Sequence, residues 1–106
     1  MIINGIRWQI KYVSSGSRHL IRSDGSRTIG MTDGRNHMIY LYYGLKGRLY
    51  DKVLAHELVH AFMFSYDIRI DINQEEFLAD WVSIYGRDLI YLLDSLVEKA
   101  KAGSTG

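Results

Sequence analysis

The chain of 106 residues contains no cysteine and no proline. Without cysteine it forms neither disulfides nor thiolate zinc fingers, and it suits a reducing compartment. Without proline, its ten glycines must do the turn-making. Charge of either sign is in little excess, with 13 Lys and Arg against 12 Asp and Glu. The basic residues are scattered, so no nucleic-acid stripe and no nucleic-acid partner are expected. No apolar run approaches the ~18 residues of a membrane span, so no membrane association is expected either. The opening residues Met1-Ile2-Ile3-Asn4-Gly5-Ile6 lack the basic region and long apolar core of a signal peptide, which makes the cytoplasm the expected location. Length and composition fit one domain over 1–103, with a loose tail at 104–106.

The first elements read as strands. Ile6 to Val13 alternates apolar and polar residues with period two, and Ser14-Ser15-Gly16-Ser17 breaks it. His19 to Ile21 is ambiguous, and Ser23-Asp24-Gly25-Ser26 is a turn. Thr28–Thr32 and His37–Tyr43 form a predicted hairpin across Asp33-Gly34-Arg35-Asn36, with Gly34 expected to supply a positive φ. Two helices follow. Val53, Leu54, Leu58, Val59, Phe62 and Met63 recur at helical spacing from about Leu49 to Ser65. A second helix is predicted from Asn73, taken as N-cap, to about Ala102, with a bend or break at Gly86. The fold class is therefore α+β: a small antiparallel sheet of three or four strands followed by helices.

Within the first helix stands His56-Glu57-Leu58-Val59-His60, an H-E-x-x-H run. Spacing i and i+4 puts both imidazoles on one face, where their nitrogens can converge on one divalent ion. Glu57 then sits beside the ion's open position, placed to take a proton from water. In a chain with four histidines, chance gives this pattern in roughly half a percent of shuffled versions, which makes two histidines merely lining a polar face the weaker explanation.

Catalytic zinc needs a third protein ligand. No histidine or cysteine follows His60, so a downstream ligand must be a carboxylate: Asp67, Asp71, Glu75, Glu76 or Asp80. Asp67 and Asp71 follow the helix too soon for the chain to turn back. Glu76 and Asp80 lie four apart on one face of the second helix, a like-charge pairing that a cation would relieve. Glu76 is favoured as the ligand, with Glu75 its rival, and Asp80 as the acceptor of an imidazole N–H. Glu76 also fits a capping-box-like start after Asn73. His19 and His37 read as ordinary surface or hairpin residues.

His56-Glu57-x-x-His60 followed by Glu76-x-x-x-Asp80 resembles the gluzincin metallopeptidases, in which a glutamate on a later helix completes the site. Within that clan, His56 to Ala61 and Glu76 to Val82 are similar to the ImmA/IrrE-type metallopeptidases, and the size is that of minimal single-domain gluzincins. The resemblance spans about Tyr40 to Val82. It implies a zincin-like fold, one zinc per chain on His56, His60 and Glu76, and Glu57 as general base. It also implies that Met38–Tyr42 is the edge strand that pairs with an extended protein or peptide substrate. For the oxyanion stabiliser, Tyr66, Tyr85 and Tyr42 are candidates among which nothing in the sequence selects.

The expected activity is zinc-dependent hydrolysis of internal peptide bonds, latent or confined to a specific protein. The rival is a zinc-stabilised binding module, such as a phage or mobile-element regulator, that engages a partner without cutting it. A third reading has no metal and an accidental motif. Leu93 to Lys101 is expected to pack on the body as core or to lie across the cleft.

Overall fold

The structure, a computed structural model, describes residues 1–103, and the predicted loose tail at 104–106 lies outside them. The element order is β1 (Ile2–Ile3), β2 (Ile6–Arg7), β3 (Gln9–Val13), a 3-10 turn (Arg18–Leu20), β4 (Gly30–Asp33), β5 (Met38–Tyr42), α1 (Gly47–Ser65) and α2 (Ile72–Gly103). The α+β class holds.

β1 and β2 form a small antiparallel hairpin whose Asn4 and Gly5 both take positive φ, the turn that an Asn-Gly pair favours. The alternating stretch Ile6 to Val13 is two strands, not one. Trp8 interrupts it: the side chain is fully buried, its Nε1 donates to Ser65 Oγ at 2.8 Å, and its backbone bonds back to Met1.

The second sheet has the order β3-β5-β4. The β4–β5 hairpin is antiparallel as expected, but β3 runs parallel to β5, so the sheet is mixed. Met38–Tyr42 is thus the middle strand, not the edge that the resemblance implied. Ile39, Tyr40 and Leu41 are all buried, the continuous burial of a strand covered on both faces. The free edge beside the helices is β4.

The hairpin turn also differs from expectation. Its positive φ falls at His37, not at Gly34. Gly34 is needed for closeness: a Cβ there would stand 2.6 Å from the Phe64 ring. Asp33 organises the turn, its Oδ1 accepting from the backbone N–H of Arg35 and Asn36 and its Oδ2 from the Asn36 side chain. These bonds, that from the Asn36 side chain foremost, hold the Asp33 carboxyl below its ordinary pKa.

Val53, Leu54, Leu58 and Ala61 set one face of α1 against a core of Ile3, Trp8, Ile39, Leu41 and Leu45. α2 begins two residues earlier than a cap at Asn73 predicts, because Asp71 caps it: Asp71 Oδ2 accepts from Asn73 N at 3.0 Å. α2 then runs unbroken through Gly86. Only its first half packs on α1, through Glu75, Ala79, Val82, Ser83 and Gly86. From Arg87 onward every described residue of α2 is exposed.

Candidate metal centre

α1 turns His56 and His60 toward the first turns of α2. Their Nε2 atoms lie 3.3 Å apart. Glu76 reaches both, with Oε2 at 3.2 Å from His56 Nε2 and Oε1 at 3.0 Å from His60 Nε2. His56, His60 and Glu76 are also the one group among the described residues whose donor atoms gather closely enough to hold a metal ion. The third position favoured from sequence is thereby brought to the two histidines.

The outer nitrogens explain why this arrangement suits a cation. His56 Nδ1 lies 2.9 Å from Asp80 Oδ1, and His60 Nδ1 lies 2.6 Å from Glu75 Oε2. A carboxylate at Nδ1 fixes the proton there and turns the Nε2 lone pair inward. Two lone pairs and a carboxylate facing one another repel unless a cation lies between them, so the donor set fits a divalent ion. Asp80 thus stands at the outer nitrogen of His56. Glu75, the rival for ligand, is instead the second outer carboxylate. Its signal was periodicity: Glu75, Ala79, Val82 and Gly86 repeat at the 4-3-4 spacing of a helix–helix seam, so Glu75 points into α1 while Glu76 is rotated about 100° away.

Glu57 lies beside this group, its side chain buried. Thr32 on β4 donates from Oγ1 to Glu57 Oε1 at 2.8 Å. Gly30, two residues earlier, lets the helix approach: a Cβ there would meet Val53 Cγ1 at 2.7 Å and Glu57 Cγ at 3.1 Å. Neither residue was singled out from sequence. Gly30 had a signal, a glycine inside a predicted strand, which often marks a close approach. Thr32 had none, because its role depends on which strand flanks α1.

The metal group and Glu57 open into one cleft of about 1080 Å³ between β4 and the two helices. Ile29, Met31, Val53, Met63 and Phe64 make its apolar wall, with Arg22 and Lys52 at its border. Tyr66 and Tyr85, the candidate oxyanion stabilisers, do not line it, and neither does Tyr42. Tyr66 stacks on Phe62 and Tyr85 packs against Trp81, both largely exposed. Asp67 borders the cleft but pairs with Arg69, and Asp71 is occupied as the helix cap. His19 stacks flat on Tyr40, and His37 packs beside Trp8 and Phe64, both away from the metal group. Leu93 to Lys101 contributes nothing to the cleft and is exposed throughout, so it neither joins the core nor covers the site.

No helix of the described chain is long and apolar enough to cross a membrane. Comparison of the chain with protein-family models, with curated proteins and with solved structures finds no match in any of the three.

Proposed function

We propose that the chain is a gluzincin-type zinc peptidase in which His56, His60 and Glu76 hold one zinc ion and Glu57 is the general base. The observation that carries this reading is the convergence of both Nε2 atoms and the Glu76 carboxylate at a point in the cleft that Glu57 also lines. The donor set of two imidazoles and a carboxylate suits zinc. Tetrahedral coordination at about 2.0–2.1 Å separates two nitrogen ligands by about 3.3 Å, and the Nε2 atoms are 3.3 Å apart.

When bound, zinc supplies Lewis-acid polarisation of a peptide carbonyl and makes water easier to ionise. The chain's own groups supply the rest. Glu57 takes the proton of the attacking water on a carboxylate oxygen and later passes it to the departing amine nitrogen. Thr32 fixes the carboxylate for both transfers by holding Oε1. An extended substrate adds to the free edge of β4, where backbone pairing gives affinity and the apolar wall receives side chains. That edge replaces Met38–Tyr42 as the substrate strand.

A second reading, a zinc-stabilised binding module, draws on one observation: no tyrosine or third histidine lines the cleft among the described residues. Two measurements decide. Protein purified without added zinc should contain about one zinc per chain by elemental analysis. Glu57→Gln should keep that zinc and the fold while losing peptide cleavage by about 100-fold or more. A chain free of divalent metal, with a melting temperature that zinc does not raise, would sink both readings. Zinc content with equal partner binding by wild type and Glu57→Gln, and no cleavage by either, would favour the module.

A further inference from the structure

The distal half of α2 carries a feature that the metal site does not use. Along the α1–α2 seam, the α2 residues Glu75, Ala79, Val82 and Gly86 follow one another at intervals of four, three and four. The same rhythm continues without a break through Leu89, Leu93, Leu96 and Ala100. α1 does not follow it. The two helices are antiparallel, since Glu75 meets His60 and Arg87 meets Asp51, and α1 begins at Gly47. α1 reaches only four residues past Asp51, so α2 runs on alone for about twelve residues after Tyr91, about 18 Å at 1.5 Å per residue. The long molecular axis of 60 Å, against 30 and 26 Å across, reflects this arm. Leu89, Ile90, Leu92, Leu93, Leu96 and Val97 on it are 41–56% exposed. Contiguous apolar surface of this kind on a soluble fold marks an interface.

We propose that this arm, Arg87–Gly103, pairs with the same arm of a second copy of the chain as an antiparallel two-helix seam. Continuity with the α1–α2 seam argues for it. The stripe that α1 covers up to Gly86 is the stripe left bare beyond it, so its cover is a helix lying where α1 would have continued. A two-fold partner arm meets that requirement and runs in the direction of α1. The stripe is also self-complementary in this orientation. Antiparallel register sets Leu93 opposite Leu96 of the partner subunit and Leu89 opposite Ala100 of the partner subunit, large against small, and the two-fold axis repeats each contact. Parallel pairing would instead crowd two bodies together at one end of the seam, whereas antiparallel pairing places them at opposite ends. The seam itself uses no residue of the candidate metal group and not Glu57.

The test uses the full chain. Sedimentation equilibrium across the micromolar range should show a dimer, and Leu93→Glu should raise the dissociation constant by roughly tenfold or more. Because Leu93 is exposed, far-UV circular dichroism of that variant should keep the body's helix and strand signal. Orientation is read with engineered cysteines on a background that has none. Under oxidation, a mixture of Leu89→Cys and Ala100→Cys chains should form the mixed disulfide, and Leu89→Cys alone should not cross-link. A monomer throughout the range overturns the proposal. So does cross-linking of Leu89→Cys to itself in preference to the mixed pair, or an arm that stays monomeric in solution and binds phosphatidylglycerol vesicles instead.

Discussion

The two halves of α2 share one helix, one apolar rhythm and one stripe, yet they meet opposite fates. From Ile72 to Gly86 the stripe is covered by α1, and the adjacent face delivers Glu76 and Asp80 to the histidines. From Arg87 onward the same stripe is bare. Local sequence sets helicity and stripe alike in both halves. What differs is whether another element is within reach, and α1 ends its reach at Gly47. The candidate metal group gathers where two helices are held in register, not wherever suitable side chains recur.

The contrast breaks most severely at the histidines. His56→Ala or His60→Ala should abolish zinc uptake measured by elemental analysis. It should also remove the zinc-dependent part of stability, about 4 kcal/mol when zinc exceeds its dissociation constant a thousandfold. An undiminished zinc-induced rise in melting temperature in both variants would place the metal elsewhere.

The outer carboxylates come next. Glu75→Gln and Asp80→Asn should each weaken zinc affinity or activity within the 10–100-fold range of such partners. Glu75 should matter more: it is 2.6 Å from its imidazole and its side chain is 20% exposed, whereas Asp80 stands at 2.9 Å and 63%. Competition against a chromogenic chelator ranks the two variants, and the reverse order would contradict the inward placement of Glu75.

A pair of substitutions sharpens the comparison along α2 itself. Ala79 is fully buried in the seam, so Ala79→Leu should cost about 1–3 kcal/mol through overpacking and should loosen zinc by displacing Glu76. Leu93→Ser, measured by urea unfolding at dilution, should stay within about 0.5 kcal/mol of wild type. Equal losses from both would mean that the distal half is packed after all.

The smallest effect lies off the helices. Asp33 has a lowered folded pKa, so its stabilisation is full above the unfolded value and is lost as pH falls through the folded one. The exposed turn limits this to less than about 1 kcal/mol. Asp33→Ala should be slightly less stable at neutral pH and converge on wild type in acid. A gap that stays constant with pH would assign the loss to packing instead.

Much of the site was legible because its residues announce themselves by spacing. His56 and His60 share a face by the helical repeat, and Glu76 with Asp80 repeats the device. The α1 core residues and the β4–β5 hairpin were visible by period and turn chemistry. What stayed hidden depends on contacts distant in sequence. β3 joins β5 in parallel and Trp8 reaches across to Ser65, and no local rule reports either contact. Thr32 and Gly30 acquire roles only once β4 lies at the edge beside Glu57. Gly86 looked like a breaker, yet a helix tolerates one glycine at a modest cost, and there it lies on the seam with α1.

That unbroken passage through Gly86 makes α2 a continuous rod with the candidate ligand Glu76 near one end and the bare tip at the other. The Arg87–Asp51 ion pair stands near the fulcrum. Glu76 lies about 16 Å to one side and Gly103 about 24 Å to the other. A tilt about that pair that moves the tip by about 1 Å would move the Glu76 carboxylate by about 0.7 Å, more than the ~0.2 Å window of metal–ligand distances. Leverage of this kind ties the precision of the coordination sphere to how firmly a surface far from it is held.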